Sequence, residues 1–202
     1  GFFAVHALST PGILIPRQTL YGSVQGSVAG LSAFLSLLMA ALFFAASATR
    51  LPLLIRHRTS GMALAQVILM ALVILAYGVS GFLFHEEFEE IPITYPWGSY
   101  LTAAITIGLL IFAIQRNFLA YSLSRLPMQW ALVTGCVLLA EAQLSMAISP
   151  VWTLAWWEYH FLMLLGAGAA MAGLLVQYSR NGSLRAIMNG VFELENLVQI
   201  EL

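Results

Sequence analysis

Few residues in this sequence are equipped for chemistry, and most of them sit at the ends of apolar runs. The exception is Glu141, the one acidic residue deep inside a run, in Leu138-Leu139-Ala140-Glu141-Ala142-Gln143. An ionisable group at that depth in lipid costs at least about 2.5 kcal/mol, so Glu141 needs a partner or keeps its proton. Ser145 follows one helical turn later on the same face, whereas Gln143 points elsewhere and needs a partner of its own. His6, His85 and His160 fall at run ends that share one side of the membrane in the topology derived below. His6 and His160 would lie at similar depth, with Glu141 about a turn deeper. Two imidazoles and a carboxylate suit a transition metal, which makes His6, Glu141 and His160 the candidate metal set. Two histidines from different helices suit a b-type haem iron gripped on both faces, which makes His6 and His160 the candidate cofactor ligands. His85 and Ser145 are further candidates, and no catalytic residue is singled out. The alternative stays open: each histidine is an interface residue with a satisfied ring, and Glu141 is a neutral side chain bonded to a neighbouring helix. His57 lies among arginines and reads as solvated.

The elements that must position these groups are long and apolar. The chain is 60% hydrophobic and only 8% charged, against about 25% charged in soluble domains. Its apolar runs reach the roughly 20 residues needed to cross a hydrocarbon core of about 30 Å. The pattern predicts an all-α, polytopic transmembrane helix bundle of about six spans. The first, from Gly1 to about Ile15, is incomplete and ends at Thr10-Pro11-Gly12. The others run from about Gly26 to Ala48, Met62 to Phe84, Ser99 to Gln115, Met128 to Ser149 and Trp157 to Tyr178. Pro52, Pro96, Pro127 and Pro150 fall between spans, where a missing N–H is tolerated. Gly1 opens inside an apolar segment without a Met, and the expectation is that the natural N-terminus lies upstream.

Orientation follows from the arginines. Arg50, Arg56, Arg58, Arg116, Arg125, Arg180 and Arg185 fall in one set of connections, and Arg17 alone in the other. Positive charge collects on the cytoplasmic side, so the C-terminus is expected in the cytoplasm and the protein in a bacterial inner (plasma) membrane. The outer segments 13–25, 85–98 and 150–156 then carry Tyr95, Trp97, Trp152 and Trp156, with Trp157 beside them, as an aromatic belt, together with the acidic stretch Glu86-Glu87-Phe88-Glu89-Glu90. The net charge of −1 points to no nucleic-acid partner. All basic residues are Arg and all acidic ones Glu, a bias without a functional reading; the lone Cys136 cannot form an intrachain disulfide.

The last span carries Gly166, Ala167, Gly168, Ala169, Ala170, Ala172 and Gly173, small residues that let helix backbones approach. A tight intramolecular contact is the expected use; an oligomer interface is the other. After Asn181-Gly182 the pattern changes. Ile187, Val191, Leu194 and Val198 recur at spacings of four, three and four, a coiled-coil seam or the face of an amphipathic helix on the inner surface. The chain thus divides into a bundle over 1–180 and a cytoplasmic linker helix over 181–202.

The stretches 2–12, Trp157-Glu158-Tyr159-His160 and Tyr178-Ser179-Arg180-Asn181-Gly182-Ser183-Leu184-Arg185 resemble the multi-helix membrane input domains of bacterial signalling proteins. The resemblance covers about a quarter of the chain. It implies a sensor and names no ligand. The leading expectation is a sensor domain that binds a ligand, metal or haem near its outer face and signals through its C-terminal helix, as a homo-oligomer through that helix or a subunit of a larger membrane complex. The other expectation is an accessory subunit of a membrane redox or photosynthetic complex, holding a haem, quinone or pigment. Gly78-Val79-Ser80-Gly81 matches the G-x-S-G of rhomboid proteases, but the His-x-x-x-Asn that accompanies it there is missing.

Overall fold

A computed structural model describes residues 28–48, 60–84, 97–148 and 154–182, together with Val5 and Glu87. Among these residues the chain is all helix: α1 Val28–Ser47, α2 Ser60–Leu83, α3 Trp97–Ser124, α4 Pro127–Ile148 and α5 Leu154–Asn181. Four of the five hold an apolar stretch long enough to cross a bilayer: Gly30–Ser47, Trp97–Ser124, Pro127–Ile148 and Trp157–Arg180. In α2 the apolar stretch Ile68–Leu83 is shorter, about 24 Å at 1.5 Å per residue. Among the described residues the count is therefore four, against the six expected. The run 1–15, read as the first span, lies outside the described residues apart from Val5, and α2 adds only its shorter stretch. The linker helix 184–202 and the arginines at 17, 50, 56, 58 and 185 also lie outside them.

What is buried supports a membrane setting. The interior is rich in small residues, with Ser32, Ala33, Ala41, Ala103, Ala113 and Ala142 all almost sealed. The large apolar side chains look outward: Leu154 is 86% exposed, Leu83 70% and Leu164 69%. In water this arrangement would expose far more contiguous apolar surface than soluble proteins tolerate. In lipid it is favourable, because helices gain by close backbone approach and lipid is as apolar as leucine. The chain is a multi-span helical membrane protein in contact with the bilayer.

The chain forms two compact units. The first comprises 1–40 and 51–105, the second 41–50 and 106–202. In the first, Ser32 Oγ and Tyr77 OH lie 2.9 Å apart and join α1 to α2, and a Cβ on Gly78 would lie 3.4 Å from the buried Val5 side chain. In the second, Arg116 Nε donates to the Ala48 carbonyl at 3.3 Å, tying α3 to the end of α1. A cation is well placed there, against the negative end of the α1 dipole.

The fourth expected span ends at Gln115, but α3 continues to Ser124. Arginine marks where the chain nears the headgroups, because its long stem reaches water from inside the core; it does not stop a helix. Asn117, buried within this extension, donates to the Ala113 carbonyl at 2.8 Å, so its amide is satisfied by its own helix.

Candidate functional site

The best-defined assembly is the antiparallel hairpin of α4 and α5. It begins at a sharp corner. Arg125 takes a left-handed conformation, φ 57°, and its N–H donates to the Tyr121 carbonyl at 2.8 Å. That is the usual way to end a helix, though glycine is the usual residue. Its guanidinium sits 5.5 Å from the centre of the Tyr121 ring, and Tyr121 packs against Trp130 at 5.2 Å between ring centroids. Pro127 then opens α4 at the position where a helix has no use for the N–H.

Small residues set the distance between the two helices. A Cβ on Gly135 would lie 3.0 Å from the Gly166 carbonyl oxygen, and one on Gly166 would lie 3.1 Å from Leu139 Cγ. A Cβ on Gly173 would overlap the Cβ of Ala131. Gly166 and Ala170, singled out for their spacing, thus face Gly135 of the same chain. The inward row of α5 reads Tyr159, Met163, Gly166, Gly173 and Gln177, with Ala170 between the two glycines, a regular alternation of four and three.

This interior is not purely apolar. Gln143 is wholly buried, Tyr159 is 2% exposed, and Gln129 and Gln177 are nearly sealed. Counted from the Gly135–Gly166 contact, Gln143 and Tyr159 lie at about one level and Gln129 and Gln177 at the other end. Both amide atoms of Gln143 have no hydrogen-bond partner among the described residues, nor do the side-chain oxygens of Gln129 and Gln177. Composition could not reveal this set. The four–three alternation running through Gly166 could have, because it carries Tyr159 and Gln177 on the glycine face.

Three of the five expected site residues, Glu141, Ser145 and His160, are among the described residues. His160 is half-buried near the start of α5, its ring stacked on Tyr159 with centroids 4.2 Å apart and planes 28° apart. Ser145 is half-buried on α4. Glu141 is exposed. At 100° per residue it leaves α4 about 120° from the side that meets α5, so the hairpin contact does not bring it to His160. His6 and His85 lie outside the described residues. Among the described residues no group of three or more His, Cys, Asp or Glu side chains is gathered closely enough to hold a metal ion. The chain matches no protein-family model, no curated protein and no solved structure.

Proposed function

We propose that this chain is the membrane input domain of a bacterial signalling system, in which α5 carries a change at its His160 end to the cytoplasmic segment that follows it. The observation that supports this reading is the continuity of α5. It is one unbroken helix of 28 residues from Leu154 to Asn181, about 42 Å long, and it meshes with α4 from Met128 to Gly135 and Leu139. A rod held this closely has little freedom to bend, so a shift or rotation at one end is felt at the other. Coupling requires a ligand that binds the two packings unequally. His160 is the residue of α5 best suited to receive one. Its imidazole could coordinate a transition metal or a haem iron, with His6 as the second ligand.

The test is the metal and haem content of the full chain purified from membranes, alone and as His6→Ala and His160→Ala. The reading expects a bound species in the wild type that each substitution reduces severalfold. A preparation devoid of both metal and haem, before and after incubation with zinc or haemin, would remove the site.

A further inference from the structure

Two arginines stand together at one end of the α4–α5 hairpin. Three apolar spans end there, that of α3 at Ser124, that of α4 at Pro127 and that of α5 at Arg180, and a span ends where the headgroups begin. Arg125 lies in the two-residue junction between the first two. Gly173 of α5 packs against Met128 of α4, and the two helices are antiparallel. Arg180, seven residues after Gly173, and Arg125, three residues before Met128, therefore both lie beyond that contact in the same direction. At 100° per residue Arg180 leaves α5 within about 20° of Gly173, on the side that meets α4. Both arginines are exposed.

We propose that this corner binds the phosphate of an anionic phospholipid, held by the guanidiniums of Arg125 and Arg180. The first support is strain. Arg125 keeps a left-handed conformation, φ 57°, at a position where glycine would cost less. Strain carried by a side chain that glycine could replace points to a use for that side chain. The second is presentation. The Arg125 guanidinium lies over the Tyr121 ring, 5.5 Å from its centre. An aromatic ring engages the face of a guanidinium. The N–H fork that matches a phosphate lies in the perpendicular direction, along the edge. The third is the apolar surface beside the charge. Tyr121 packs against Trp130, with ring centroids 5.2 Å apart, and Trp130 is 49% exposed on the lipid side of α4. A phospholipid brings acyl chains to that surface, whereas a soluble phosphate brings none. Two guanidiniums also select among lipids. A phosphate alone complements them, but a zwitterionic headgroup adds an ammonium to a place that already holds two positive charges. This inference stands apart from the signalling proposal, because neither arginine belongs to the His160 end of α5.

The experiment is native mass spectrometry of the full chain in detergent, with phosphatidylglycerol and phosphatidylcholine of the same acyl chains added in equal amounts. The wild type is expected to retain phosphatidylglycerol severalfold more than phosphatidylcholine. Arg125→Lys and Arg180→Lys keep the charge and lose the fork, and each should lower that preference severalfold. An excess of inorganic phosphate should leave the lipid bound. Equal retention of the two lipids by the wild type would overturn the proposal. So would a preference unchanged in either lysine variant, because charge alone would then account for it. Displacement of the lipid by inorganic phosphate would assign the corner to a soluble anion and overturn the lipid site. Arg180→Lys decides the matter if Arg125→Lys fails to fold.

Discussion

Single atoms decide how close α4 and α5 come. Gly173 is the tightest point, since a methyl there collides with the Ala131 methyl and lies 3.4 Å from the Met128 Cα. Both of those belong to α4 and neither is a flexible tip. Gly173→Ala should therefore destabilise the protein by about 1–3 kcal/mol, the usual cost of overpacking, read as a lower unfolding midpoint in detergent. Ala131→Gly in the same chain should recover most of the loss by vacating that space. Gly168→Ala is the control. Nothing lies within 4 Å of its would-be Cβ, so the gain in helix propensity, up to about 1 kcal/mol, should dominate. Destabilisation at Gly168 equal to that at Gly173 would mean that the close approach is not what the glycines serve. Gln143 makes the opposite case. It is wholly buried, and both ends of its amide are unpaired among the described residues. Leaving such a group unsatisfied costs about 1–3 kcal/mol. Gln143→Met keeps the volume and removes the amide, and should raise the unfolding midpoint. A fall instead would show that the amide has a hydrogen-bonding partner in the membrane.

At the scale of elements, the α3–α4 corner is the most economical junction in the chain. Two residues, Arg125 and Leu126, separate the two helices. The Leu126 N–H donates to Ser124 Oγ at 3.3 Å, and the Gln129 N–H to the Leu126 carbonyl at 3.1 Å. The corner depends on Arg125 holding φ 57°, a region costly for any residue with a Cβ. Arg125→Ala keeps that cost and loses the Tyr121 contact, whereas Arg125→Gly loses the contact and removes the cost. Gly should therefore be more stable than Ala here by about 1 kcal/mol, measured by chemical denaturation in detergent. Parity between the two would mean that the corner relaxes out of the left-handed region. The sequence shows the stop, Pro127, and the last charge, Arg125, but not the conformation between them, since arginine carries no signal for positive φ.

At the scale of the whole molecule, α1, α2, α4 and α5 were legible in the sequence because long apolar runs bounded by proline, glycine or arginine leave little choice of element. Their limits fall within about three residues of those expected. The length of α3 was not legible, because Arg116 lies inside the helix and an arginine does not end one. The direction of Glu141 was not legible either. In water a polar residue identifies the solvent side of a helix, but in lipid both faces are apolar. Only the packed structure separates the stripe at Gly135 and Leu139 from the one at Val137 and Leu144. Orientation belongs to this scale too. Arg125 and Arg180 mark one end of the α4–α5 hairpin, and the excess of arginine predicts that this end is cytoplasmic. Two exposed positions test it against the silent background of buried Cys136. Leu154→Cys, at the start of α5, should react with a membrane-impermeant maleimide in intact cells. Ser179→Cys, near its end, should react only once the membrane is opened. The reverse pattern would turn the molecule over, placing the His160 end of α5 in the cytoplasm and the segment beyond Gly182 outside. A signal could then no longer pass inward along α5. Labelling of both positions in intact cells would mean that α5 does not separate the two compartments. The direction of the proposed signalling and the crossing of the membrane are thus tested by one pair of thiols about 38 Å apart along a single helix.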